Sequence, residues 1–164
     1  TRLLTMQTRN SAAYKGIMAL ILQDSPLDFM TGHRMDIASY IDEDADIHHI
    51  FPQTYCEKNK LPRIKWNSVI NKTPIYASSN RSIGGHAPST YIGTMANKGL
   101  DQLKIQEAIE SHKVNYIYLS SDDFDAYFID RAIKLLNRVE KATGKVVTGR
   151  DSQETVDAYG VSLL

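Results

Sequence analysis

The spacing of apolar residues along the chain predicts a mostly helical fold. In residues 10–23 the apolar side chains recur every three or four positions and would form one face of a helix. Residues 101–112 show the same spacing. Pro88 suits the first turn of another helix, which is predicted to run to about Ala96.

The most regular stripe lies near the end of the chain. From Phe124 to Val139 large apolar residues repeat at helical spacing, and the helix is predicted to end near Gly144. Ser120 and Asp123 are spaced as a capping box at its start. The stripe is interpreted as core packing or as an interface with a part of the protein outside this chain. Residues 146–164 have only weak signals.

Two short segments in the middle of the chain have strand character instead. Residues 47–51 are apolar and are stopped by Pro52, which is typical of the end of a strand. Residues 69–76 are predicted to form a second strand, broken or ended near Pro74. A short helix is predicted from Ser78-Ser79 to Gly84-Gly85, which completes the order strand, strand, helix.

Two connecting segments are less regular. The acidic segment 36–45 is interpreted as a solvated loop or turn. Residues 53–60 are predicted to form a short helix or a long loop. These elements together define an α+β class, and the chain is predicted to be one domain over residues 1–164.

Composition and charge narrow the classes of function. Apolar residues make up 42% of the chain, and none of its apolar runs approaches the length of a membrane span. The lone Cys56 excludes an internal disulfide and a zinc site built from several thiolates, and it fits a cytoplasmic location. A formal net charge of zero argues against strong nonspecific DNA binding, so any contact with nucleic acid has to be local.

The central segment carries residue types that suit phosphodiester hydrolysis. Such a reaction needs a base to activate water and a divalent cation to stabilise charge on the phosphate. Histidine titrates near working pH and is a natural base. Carboxylate and amide oxygens suit Mg²⁺, and an added imidazole widens the choice to Mn²⁺, Co²⁺ or Ni²⁺. The candidate set, in chain order, is Asp46, His48, His49, Asn71 and Asn80.

The order and spacing of this set resemble the HNH nuclease motif. His49 is followed by an apolar pair and Pro52, and Asn71 and Asn80 follow at separations of 22 and 9 residues. The resemblance implies a ββα-metal hairpin and helix over residues 46–84, set among helices at 10–23 and 88–144. It also implies an endonuclease that cuts DNA with one divalent metal ion.

The flanking residues resemble one group within that family more closely. His48-His49-Ile50-Phe51-Pro52, Asn80-Arg81-Ser82-Ile83-Gly84 and Pro88-Ser89 with Tyr91 resemble the nuclease half of GmrSD-type, modification-dependent restriction enzymes. The resemblance is good over about residues 36–95 and faint elsewhere. It implies a restriction or phage-defence protein. The chain is then expected to be a fragment, whose missing N-terminal part binds nucleotide, and a homodimer is an open alternative.

Roles follow from the resemblance position by position. His49 matches the general base, Asn80 a metal ligand, and Asn71 the residue that pins the loop and orients the base. His48 occupies a position where the family often has an acidic metal ligand. Asp46 lies two residues earlier on the same strand face, so it could supply the missing carboxylate or orient His48.

Some features favour plainer interpretations. Adjacent strand residues point to opposite faces, so His48 and His49 can serve one phosphate only if the strand twists or ends there. Arg81 and Lys72 are predicted phosphate contacts, with ordinary solvated charges as the equal alternative. His86, after Gly84-Gly85, could approach the site, but it is interpreted as a loop histidine. Two rival functions remain: a catalytically inactive HNH-like domain used for DNA binding or assembly, and a nuclease that acts on RNA.

Overall fold

The computed structural model describes residues 2–41 and 45–164. Within these residues the chain forms a mixed α+β structure that is mostly helical, with one small antiparallel sheet. The helices are α1 Arg2–Thr5, α2 Ala12–Gln23, α3 Ile37–Ile41, α4 Gln53–Lys58, α5 Arg63–Trp66, α6 Ala77–Ile83, α7 Pro88–Asn97, α8 Gln102–Ser111, α9 Tyr116–Ser120, α10 Phe124–Thr143 and α11 Gln153–Tyr159. The strands are β1 Ala45–His49 and β2 Lys72–Tyr76, and a 3₁₀ turn, Val69–Asn71, leads into β2.

The two strands pair directly, with Ala45 opposite Tyr76 and His49 opposite Lys72. Pro74 lies inside β2, opposite Ile47, so the prediction that it breaks or ends the strand is wrong. Both strands of a two-stranded sheet are edge strands, so a residue without an N–H donor is tolerated there.

The long helices confirm the apolar pattern. In α2 the buried side chains are Tyr14, Ile17, Met18, Ile21 and Leu22, the residues that form the helical face in the sequence. Ser11 caps this helix by accepting a hydrogen bond from the backbone of Tyr14. Helix α10 ends where predicted, at Gly144. Gly144 adopts the left-handed conformation, which is unstrained in glycine because it has no Cβ atom.

Short helices account for most of the differences from the sequence prediction. The predicted capping box is wrong: Ser120 ends α9, and Asp123 alone caps α10 by accepting from Ala126. Helix α3 lies in the acidic segment that was expected to be a loop, and the part of that prediction that concerns Asp42, Glu43 and Asp44 lies outside the described residues. Helix α11 occupies the C-terminal region that had weak signals. Helices of five to seven residues have too few turns to establish a period.

A buried aspartate joins α6 to the rest of the fold. Helix α6 begins one residue before the predicted Ser78 and has no side-chain cap of its own. Instead, Asp28 accepts hydrogen bonds from the backbone N–H of Tyr76 and from the hydroxyl of Ser79. Its carboxylate also accepts from the backbones of Met30 and Thr31 and from the Thr31 hydroxyl. A fully buried carboxylate from a distant loop therefore caps the helix that carries Asn80.

None of the helices in the described part of the chain combines the length and the apolar character that crossing a membrane requires.

Candidate functional site

Three of the predicted site residues form one hydrogen-bonded chain between β1 and α6. The Nδ1 atom of His48 lies 2.9 Å from Oδ1 of Asn80, and Nδ2 of Asn80 donates to Oδ2 of Asp46 at 3.2 Å. Asp46 and His48 are two residues apart on β1, so strand alternation places both side chains on the side facing α6. Because Asn80 uses its amide nitrogen for Asp46, its oxygen accepts the Nδ1 proton of His48.

The histidine of this chain is deeply buried. His48 is 2% exposed and packs edge-on against the rings of Phe29 and Tyr91. Burial lowers the pKa of His48 to about 4, against a smaller raising effect of the hydrogen bond to Asn80. Its Nε2 atom is buried without a hydrogen-bond partner among the described residues. At neutral pH the ring is therefore a neutral imidazole.

Asp46 provides the solvent-accessible end of the chain. Its side chain is 44% exposed, and its Oδ1 lies 3.8 Å from the guanidinium of Arg9. Both side chains of that ion pair are well exposed, so solvent screens it and its contribution to stability is small. A large substrate can reach the carboxylate at this surface. Arg9 itself lies in a stretch of sequence with no pattern that marks it as a site residue.

His49 lies on the opposite side of β1, as strand alternation predicts. Its Nε2 is 3.3 Å from Oδ1 of Asn67, and its ring packs edge-on against Trp66. An amide oxygen only accepts, so this contact places the ring proton on Nε2 and leaves a lone pair on Nδ1. Burial, reinforced by the charge of Lys72 and opposed by Asn67, lowers the pKa of His49. The side chain is thus a neutral, half-buried imidazole, and its partner Asn67 is a residue that no motif predicts.

Asn71 immobilises the turn that follows His49. Its amide donates to the carbonyls of Phe51 and Trp66, and its oxygen accepts from the Phe51 backbone and the Tyr127 hydroxyl. Asn71 therefore holds the turn after His49. It also holds the end of α5, where Trp66 and Asn67 contact His49. Asn71 is fully buried, so these bonds are shielded from water.

Helix α10 supports Asn71 from behind. Arg131 is fully buried, and its guanidinium donates to the carbonyls of Ile70 and Lys72 and, at 3.2 Å, to that of His112. Tyr127 donates to the Ile70 carbonyl as well. The carbonyl ends of the 3₁₀ turn and of α8 provide the negative potential that offsets the buried charge.

The two predicted phosphate contacts are placed very differently. Arg81 is exposed on α6, next to Asn80. Lys72 is 6% exposed, and its ammonium donates to the backbone carbonyl of Gln7 at 2.7 Å, close to the ring of Tyr14. Burial lowers the pKa of Lys72 to about 8, with a smaller contribution from Arg9. Lys72 therefore anchors the N-terminal segment, and its charge is directed inward.

A second fully buried histidine, His112, for which the sequence suggests no partner, has hydrogen bonds at both ring nitrogens. Nε2 of His112 donates to the Leu27 carbonyl at 2.8 Å, and Nδ1 accepts from the Thr73 hydroxyl at 2.6 Å. Burial lowers the pKa of His112 to about 3. It is a structural residue that joins α8 to β2 and to the loop before Asp28.

We expect His112 to make the fold sensitive to acid. The unfolded chain binds a proton at a pKa near 6.5, whereas the folded chain resists protonation to about 3. The stabilisation is complete above pH 6.5 and is lost as the pH falls toward 3, at up to about 1.4 kcal/mol per pH unit. Burial of His48 acts in the same direction. Urea unfolding at about pH 7.5 and pH 5 measures the change. Replacing the exposed His33 by alanine should leave the difference intact, and an unfolding free energy equal at both pH values would contradict the prediction.

The described residues contain no cluster of three or more His, Cys, Asp or Glu side chains arranged to hold a metal ion. Asp46 and His48 are linked through the amide of Asn80 by hydrogen bonds. In this hydrogen-bonded arrangement Nδ1 of His48 carries the proton that Asn80 Oδ1 accepts, so Nδ1 would bind an ion only after that proton moves to the buried Nε2. A carboxylate, an amide oxygen and an imidazole are a suitable donor set for a divalent ion.

Comparison with known proteins gives one relative of limited overlap. A protein of Methanocaldococcus jannaschii, described as uncharacterized, is 34% identical over 118 residues, which cover 67% of this chain and 20% of that protein. This chain thus spans about a fifth of the length of that relative. No protein-family model matches the chain. No solved structure matches it significantly.

Proposed function

We propose that this chain is a metal-dependent endonuclease domain of the HNH type that hydrolyses DNA phosphodiester bonds, in a restriction or phage-defence protein. One observation carries the proposal: β1 ends at His49, a neutral histidine held through Nε2 by Asn67, and the hydrogen-bonded set of Asp46, His48 and Asn80 lies on the other side of the same strand. The order β1, β2, α6 fits the ββα-metal hairpin and helix of that family.

His49 is the proposed general base. Asn67 holds Nε2 with its proton, so Nδ1 is the atom that takes a proton from the attacking water. The lowered pKa of His49 keeps the ring neutral and ready to accept that proton at neutral pH. Asn71 positions His49 indirectly, because it binds the backbone on both sides of the base.

Asn80 and His48 are the proposed ligands of a divalent cation, with Asp46 as a third ligand or as the group that orients Asn80. When bound, the cation stabilises negative charge on the phosphate and on the leaving oxygen. Asp28 keeps Asn80 in place by capping α6. Arg81 and Arg9 are exposed cations that can contact a phosphate near these residues.

Specificity is proposed to lie outside this chain. A catalytic base, a metal ion and phosphate contacts do not distinguish one nucleobase from another. The formal net charge of zero limits the affinity that counterion release can supply. We therefore propose that recognition, nucleotide binding and pairing of two sites belong to further parts of the protein.

Plasmid nicking tests the proposal. We expect the chain to nick supercoiled DNA with Mn²⁺, Co²⁺ or Ni²⁺ at least as fast as with Mg²⁺, because His48 replaces a carboxylate with an imidazole. EDTA should stop nicking without changing the thermal unfolding curve. His48→Asp should shift the preference toward Mg²⁺, and binding of Mn²⁺ followed by electron paramagnetic resonance reports on ligands independently of cleavage.

The outcomes separate the rival functions. DNA binding without nicking in any metal would favour an inactive HNH-like domain. Faster cleavage of RNA than of DNA of the same sequence would favour an RNA nuclease. Cooperative unfolding by EDTA would show that the metal is structural, which contradicts the proposal.

A further inference from the structure

A solvent-exposed groove lies where the two elements of the proposed site end. After β1 the chain passes through Phe51 and Pro52 into α4, and after α6 it turns through Gly84 into the segment before α7. The groove lies between α4 and this second segment, and its lining includes Thr54, Tyr55, Lys58, Asn59, Gly85 and His86. Thr54 is five residues beyond His49, and Gly85 is five residues beyond Asn80.

The two walls of the groove are in close contact. A Cβ atom on Gly85 would lie 2.9 Å from both Cβ and Oγ1 of Thr54, so only glycine allows this approach. Tyr55 packs against the ring of Phe51, whose backbone is held by Asn71. The groove is therefore in a fixed position relative to the turn after His49.

The polar side chains of the lining all carry hydrogen-bond donors. Lys58 and His86 are exposed, and no carboxylate lines the groove. Burial, with a smaller effect of Asp122, raises the pKa of Tyr55, so its hydroxyl remains a donor. Both oxygens of Asp122 already accept from Ser89. By contrast, two carboxylates, Asp24 and Glu110, line the cleft beside α10, and Asp24 pairs with Lys113 and Arg138 there.

We infer that this groove binds the phosphodiester backbone of the DNA substrate next to the phosphate that is cut. The inference rests on the proposed function for its choice of DNA. Lys58 supplies the positive charge, and His86, Asn59 and Thr54 supply further hydrogen-bond donors to the phosphate oxygens. The groove has a volume of about 620 Å³ and is open to solvent. A DNA strand can therefore enter and leave it at the surface.

Binding measured without cleavage tests the inference. The probe is a short fluorescein-labelled DNA duplex, titrated in EDTA with the His49→Ala protein and followed by anisotropy at several salt concentrations. Lys58→Ala and His86→Ala should each weaken binding, and together they should reduce affinity by about tenfold or more. Lys58→Ala should also lower the slope of log affinity against log salt by about one phosphate contact. In the protein with His49 restored, the same changes should raise KM and leave kcat nearly unchanged.

Matched controls remove the same groups elsewhere on the surface. Lys104→Ala deletes an exposed lysine on α8, and His33→Ala deletes an exposed histidine. Affinities and salt slopes of the Lys58 and His86 variants equal to those of these controls would overturn the inference. If the wild-type chain nicks DNA while the groove variants behave as the controls, the inference alone fails. If the chain binds through the groove and never nicks, the proposed function alone fails.

Discussion

Replacing His49 by alanine should reduce DNA nicking by about 10²- to 10⁴-fold while the protein remains folded and binds DNA as before. His49 is the half-buried neutral histidine whose Nε2 is held by Asn67, so its Nδ1 is the proposed proton acceptor. Its removal leaves the chain of Asp46, Asn80 and His48 intact, and cation binding should therefore survive. Initial rates of plasmid nicking at saturating metal measure the loss.

His33→Ala is the matched control, because His33 is an exposed histidine in the loop before α3, outside the predicted motif. It should nick at the wild-type rate. Asn67→Ala should lie between the two, since the base remains but its orientation and tautomer are no longer held. Nicking by pure His49→Ala protein at the wild-type rate would remove His49 from the role of base.

Replacing Asn71 by alanine should lower the free energy of unfolding by roughly 3 kcal/mol or more. The change leaves the backbone N–H of Phe51 and the carbonyl of Trp66 without these partners. It also removes one of two partners from the Phe51 carbonyl, which keeps its bond from Cys56, and from the Tyr127 hydroxyl. Each buried polar group left without a partner costs about 1–3 kcal/mol, although Tyr127 keeps its bond to Ile70. Urea denaturation with two-state analysis measures the difference.

Asn97→Ala is the control for Asn71→Ala, because it deletes the same amide from an exposed position at the end of α7. Its effect on stability should stay within about 0.5 kcal/mol. Equal stability of the two variants would show that the Asn71 bonds contribute nothing net. A stable Asn71→Ala protein that has nonetheless lost nicking would place Asn71 in the chemistry instead of in the support of His49.

The order of the main elements was predictable because it rests on local periodicity. Helices α2, α7, α8 and α10 each bury one face, and an apolar stripe at helical spacing is visible without any knowledge of the partner. The short helices α5, α9 and α11 have no such stripe. They form because surrounding contacts order them, and propensity alone is too weak at that length.

Some contacts of the candidate site were predictable from the sequence and others were not. The motif spacing placed Asp46, His48 and Asn80 in one set, and they form one hydrogen-bonded chain. Asn67 and Arg9 contact site residues from segments that carry no motif. The buried ammonium of Lys72 also could not be read from its sequence position, because its partner is a backbone carbonyl 65 residues away.

The sequence by itself determined the α+β class, the strand, strand, helix order and the residue types available for chemistry, since each depends on neighbours within a few positions along the chain. Only the tertiary structure decided which polar groups are buried and with what they pair. Asp28 caps α6 across 48 residues or more, and Arg131 holds the carbonyls before β2 across about 60. The physical reason is that a buried polar group must find a partner wherever the folded chain brings one within hydrogen-bond distance, and that distance does not depend on separation along the sequence.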